Sequence, residues 1–145
     1  MSIIANLAPD QALASLLENK ISIALSAEEN KVVPTYRQNG RPNTDSEDEF
    51  VEVLYNGTIQ SVTKPFGMFR GNLAVVIYCR AFSDGTAKFN RMQSILAQIE
   101  SLAHCQEFNG VYFEVDSNNL ITPISYDPET GYSILVLNVG WHTTA

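Results

Sequence analysis

The residues able to do chemistry in this chain are few and scattered. Its two histidines are His104 and His142, and only His104 has a second ligand type beside it, Cys105. A zinc site takes three or four converging ligands, and no second pair follows at finger spacing, so no metal is expected. Neither histidine has a nucleophile or an orienting acid at a recognisable spacing, so no nucleophile–base set is nominated. Gly67, Gly71 and Gly85 lack the Gly-Lys-Ser or Gly-Lys-Thr of a phosphate loop. Asp45, Glu47, Asp48, Glu49 and Glu52 cluster without the Asp-x-Asp-x-Asp-Gly spacing and closing Glu of a calcium loop. They read as a solvated acidic loop. The expectation is a protein that is not an enzyme, with no catalytic residue, cofactor or metal. Cys79 lies in the most apolar stretch, where a thiol behaves as a small hydrophobe. Met1 to Asn6 has no basic residue ahead of an apolar stretch, so no secretion signal is expected; the chain's size does not call for a disulfide, and both cysteines read as reduced in a cytosolic setting.

The elements that must position these residues follow from periodicity. Pro9-Asp10, then Leu13, Leu16, Leu17 and Ile21, is a helical spacing with Pro in the first turn and an acid at the positive end, ending between Asn19 and Leu25. Val32, Val33 and Tyr36 form a short strand. Residues 38–48 are polar, broken by Gly40 and Pro42 and without periodicity, so a long mobile loop is expected. Phe50 to Tyr55 reads as a strand, Asn56-Gly57 as a hairpin turn, and Thr58 to Thr63 as the returning strand. A Gly-punctuated bend follows with Phe66, Met68 and Phe69. Leu73 to Phe82 is apolar on both parities, as a central strand requires. Ser83-Asp84-Gly85-Thr86 is a turn with helix-capping residues. Phe89, Met92, Ile95, Leu96, Ile99, Leu102 and Ala103 then recur at three and four, the strongest helix in the sequence. His104 stands at its end, where a protonated imidazole meets the negative terminus. Val111 to Asp116, Leu120 to Tyr126 and Tyr132 to Val139 are three further strands, joined by turns at 117–119 and 127–131.

This order predicts a single α+β domain over residues 1–145, a mostly antiparallel curved sheet with two amphipathic helices packed on one face. The chain has 145 residues, enough for one real core. Charged residues make up only 17%, which excludes a disordered chain or a coiled coil. No apolar run approaches the roughly 20 residues of a membrane span.

Charge is unevenly placed. The chain carries −7, which argues against a duplex-binding protein. Yet Lys64, Arg70, Arg80, Lys88 and Arg91 share residues 64–91 with one acid, Asp84, while the rest of the chain holds four basic residues against fifteen acids. One reading is solubility. The other is that a positive surface on one copy meets a negative surface on the next. Helix 88–103 turns small uncharged residues outward (Asn90, Gln93, Ser94, Ala97, Gln98 and Ser101), and weakly charged surfaces with aromatic anchors suit subunit interfaces. The candidate subunit interface is therefore Lys64, Phe66, Phe69, Arg70, Lys88 and Arg91, facing Asp45, Glu47, Asp48 and Glu49.

Over Asp10 to Trp141 the order of elements resembles the small tail-terminator proteins of long-tailed bacteriophages, the lambda U-type minor tail proteins. The resemblance rests on Leu73-Ala-Val-Val-Ile-Tyr-Cys-Arg80, the helix around Met92-Gln-Ser-Ile-Leu-Ala-Gln-Ile99 and the strand Tyr132-Ser-Ile-Leu-Val-Leu-Asn-Val139. No signature motif accompanies it, and no functional residue transfers by motif. The resemblance implies a non-catalytic virion protein, made in the host cytoplasm and placed at the head-proximal end of the tail. It implies a hexameric ring on the tail tube that stops tube growth and joins the head-completion or connector protein. DNA passes through the lumen without specific binding, and no membrane is involved. The alternatives are a head–tail connector or stopper, and a small-molecule-binding α+β domain with its pocket between sheet and helices.

Overall fold

The computed structural model describes residues 8–24, 30–38, 47–61, 69–82, 86–115 and 124–143. Helix α1 (Pro9–Leu17) begins on Pro9, whose ring suits the first turn, and no side chain caps it. It stops earlier than its apolar spacing suggests. Asn19 takes the left-handed conformation at φ 60°, which a short polar side chain tolerates, and the chain leaves the helix there. Ile21 is buried, but beyond the helix.

Strands β1 (Ser22–Ala24) and β2 (Asn30–Val32) form an antiparallel ribbon. After β3 (Thr35–Arg37) come the two long strands β4 (Glu49–Ser61) and β5 (Phe69–Arg80), then helix α2 (Phe89–Ala103). The chain closes with β6 (Gln106–Phe108), β7 (Val111–Val115), β8 (Ser125–Tyr126) and β9 (Tyr132–Thr143). The main sheet runs β3-β4-β5-β9-β7-β6, with β8 also on β9, and every pairing is antiparallel except β3 with β4. This is the α+β single domain expected, with its curled, mostly antiparallel sheet.

Period two assigns the faces. Val51 and Val53 of β4, Leu73, Val75, Ile77 and Cys79 of β5, Phe113 of β7, and Leu135, Leu137 and Val139 of β9 all point to one side. Both helices lie on that side, α1 through Leu13 and Leu17, and α2 through Met92, Ile95 and Ile99. Each of these large side chains is fully buried, worth about 1.5–3 kcal/mol apiece. On the opposite face Phe50 stacks on Tyr78 at 4.3 Å, with Tyr132 edge-on to both.

Three local expectations are corrected. Asn56-Gly57 is no hairpin turn: β4 runs through it. Asn56 pairs with Asn72 and Gln60 with Arg70, so extra residues of β4 bulge outward opposite Gly71. The positive φ that the dipeptide favours is present, 82° at Gly57, but it serves a bulge. Phe89, assigned to the apolar stripe of α2, is 57% exposed, because the first residue of the helix overhangs the end of the sheet. Gln98, assigned to the outward polar face, holds β1 instead: its amide accepts from the Ser22 N–H at 2.9 Å and donates to the Ser22 carbonyl at 2.7 Å. The loop expected to be mobile falls mainly on 39–46, outside the described residues, as do 83–85 of the turn before α2, the 117–119 turn, residues 62–63 of the returning strand, 65–68 of the bend and Leu120–Pro123 of the expected strand; Phe69, Arg70 and Gly71, assigned to that bend, begin β5 instead.

Candidate subunit interface

The candidate residues fall at two ends of the sheet. From Phe69 to Arg80, β5 spans about 35 Å at ~3.3 Å per residue. Glu47, Asp48, Glu49, Lys88 and Arg91 gather where β4 and β9 begin, β5 ends and α2 starts. Phe69 and Arg70 lie at the far end. Lys64, Phe66 and Asp45 lie outside the described residues.

At the first end the strand pattern dictates a buried charge. Glu49 shares the parity of Val51 and Val53, pairs in register with Cys79, and is 1% exposed. One oxygen takes Arg91 Nη1 at 2.5 Å and the other Lys31 Nζ at 3.4 Å. Beside it, Asp48 binds Arg80 Nε at 3.0 Å. Arg80 also donates to the Thr130 carbonyl and the Tyr132 hydroxyl, and its guanidinium carbon sits 4.6 Å from the Tyr132 ring centre. Glu47 accepts from the Tyr36 hydroxyl at 2.5 Å, and its carbonyl accepts from the Tyr132 hydroxyl. The acidic run and two members of the basic segment, Arg80 and Arg91, thus meet within one copy. Their separation in sequence hides this, since Arg91 and Glu49 are 42 residues apart. The parity of Glu49 was the available signal.

Burial pushes the Cys79 thiol up to about 11, and the Glu49 carboxylate on the adjacent strand adds to the shift. Burial also raises the Tyr55 phenol, which donates to Asp10 at 2.9 Å, and Arg37 approaches the same carboxylate at 3.5 Å. The Tyr112 phenol is raised first by its hydrogen bond with the Cys105 thiol. Both cysteines are free. At the end of α2, His104 Nδ1 accepts from the Val115 N–H at 3.1 Å and ties the helix to β7.

Three exposed apolar side chains join the candidates. Phe82, just past the end of β5, and Phe89, the first residue of α2, are 55% and 57% exposed, and Lys88 Nζ lies 5.4 Å from the Phe82 ring. Ile59 stands on the bulged end of β4, near Phe69. Phe82 and Phe89, seven apart around Ser83-Asp84-Gly85, were visible in the sequence but read as core. Exposed apolar side chains thus stand at both ends, Ile59 and Phe69 at one and Phe82 and Phe89 at the other, while Val32 of β2 and Tyr126 of β8 are exposed as well.

Among the described residues, no group of three or more His, Cys, Asp or Glu side chains is placed to hold a metal ion, and no helix is long and apolar enough to cross a membrane. No protein-family model matches the sequence, and no curated protein matches it.

Proposed function

We propose that this chain is a structural protein of the tail-terminator kind. Copies join head to tail into a closed ring, of six on the resemblance, that caps a phage tail tube, ends its growth and offers the surface to which the head is joined. The observation that carries the reading is the placing of exposed apolar side chains at both ends of one sheet, Ile59 and Phe69 at one and Phe82 and Phe89 at the other. A ring built from repeated heterologous contacts needs two different patches on each subunit, pointing away from each other. Aromatic side chains are the residues that anchor such contacts. The charges play a lesser part, because Asp48, Glu49, Arg80 and Arg91 are engaged inside the subunit; charged contacts at an interface rim set register, each worth about 0–1 kcal/mol. A net charge of −7 keeps a ring from holding DNA that passes through it.

The test is genetic and structural together. Removing the gene is expected to give tails of uncontrolled length without heads. Phe69→Asp and Phe89→Asp, each folded, are expected to reproduce that defect. Normal tails on deletion contradict the terminator reading. Normal tails from both variants place the interface elsewhere. Headless tails of normal length on deletion favour the connector alternative.

A further inference from the structure

We propose that the cleft beside the β4 bulge binds an uncharged, hydroxyl-rich ligand of the size of one or two sugar rings. The proposal does not depend on the assembly reading. The bulge makes the site: Gly57, at φ 82°, has open space where a Cβ would stand, and residues 57–59 of β4 stand opposite the single Gly71 of β5. A cleft of about 530 Å³ lies there, across β4, β5, β9 and β7. That is within the ~300–1,000 Å³ usual for small-molecule sites. Gly71 and Gly140 leave bare backbone in its lining.

The polar groups decide the ligand class. Asn56 donates to Asn138 Oδ1 at 3.4 Å, and Asn138 donates to Asn72 Oδ1 at 3.3 Å. This amide chain presents an acceptor at its Asn56 end and two N–H donors at its Asn72 end. Glu114 brings a carboxylate to the cleft and Arg70 a guanidinium. The carboxylate disfavours an anion and the guanidinium a cation. A hydroxyl donates and accepts at once, so a polyol meets both amide ends and lies beside both signs of charge without burying a charge of its own. His142, its ring centre 4.9 Å from that of Tyr112, adds a flat side chain for the C–H face of a sugar.

Trp141 is the chain's single tryptophan, and its indole lies against Gly71 at the cleft. Its ring is 4% exposed and shares the core side of β9 with Val139, so its emission reports on the site through the paired β5 and β9 that carry Asn72 and Gly140. The full-length protein is titrated with maltose, cellobiose and chitobiose, and in separate arms with phosphate, glutamate and a neutral extended peptide. The expected result is a saturable change in emission with at least one disaccharide at millimolar concentration. Gly140→Leu should weaken it roughly tenfold or more by filling the cleft. A Cβ at Gly140 meets only the Glu114 carbonyl at 3.7 Å and Asn72 Oδ1 at 3.8 Å, so that variant should fold. Asn72→Ala, on an exposed side chain, repeats the test should Gly140→Leu melt early, and is expected to lose binding several-fold. The proposal is overturned by no saturable response to any sugar, or by equal binding in both variants. Binding of phosphate, glutamate or peptide where no sugar binds overturns it too.

Discussion

A carboxylate buried as deeply as Glu49 persists because Arg91 and Lys31 each reach one of its oxygens. Removing one partner of such a pair leaves a charge in the interior, and Arg91→Met is expected to cost about 3 kcal/mol, the low end for a broken buried pair, since Lys31 remains. Urea denaturation measures it. Adding Glu49→Gln should recover most of the loss, and a single variant as stable as the parent would contradict the geometry. The adjacent Cys79 sets an alkaline limit. Its folded pKa of about 11 lies above the ordinary 9.0, so the folded state holds the proton where the unfolded state releases it. This contribution is complete below pH 9 and is lost as pH rises through 11. The raised Tyr55 phenol acts in the same direction at higher pH. The denaturation midpoint should therefore fall between pH 9 and 11, and fall less in Cys79→Val. Near neutral pH a thiol reagent should label Cys105, which is exposed, and spare Cys79 until the protein unfolds.

Among the elements, α2 packs on β5 and β7 beside α1, and its energetics follow from its stripe. Ile95→Ala removes a fully buried side chain between α2 and the sheet and should cost about 2–5 kcal/mol. Gly71 is a second sensitive point. An added Cβ would stand 2.9 Å from the Trp141 ring, itself 4% exposed and without room to retreat. Gly71→Ala should cost about 1–3 kcal/mol by overpacking, read as a lower melting temperature. The same elements show what a sequence can disclose. Helix α2 was legible to within a residue because Met92, Ile95, Ile99 and Ala103 repeat at helical spacing; β5 was legible from Leu73 to Arg80 because its run is apolar on both parities, while its start at Phe69 was hidden by glycines that read as a bend. Asn56-Gly57 misled because a preference for positive φ fits a bulge as well as a turn; only cross-strand pairing decides between them. The candidate interface was legible as a set of charges, but the ion pairs that hold Glu49 and Asp48 are long-range contacts with no local trace. Phe82 and Phe89 looked like core because hydrophobicity alone does not say which turn of a helix overhangs its sheet.

At the scale of the whole molecule, one sheet carries exposed apolar side chains at both ends, and the account turns on whether those ends meet between copies. Exposed aromatic side chains at such a distance cannot cover one another within one subunit. Contacts between such side chains are modest singly, so rings in dilute solution should be weak and should gather on a tube end, where six copies are brought together. The most direct measurement is electron microscopy of tail tubes assembled with the purified chain. It should show one ring of six at a single end of each tube, with Phe69 of one subunit against Phe82 and Phe89 of the next. Tubes that keep growing in its presence with bare ends, or a ring whose subunits touch through other surfaces, would contradict the account.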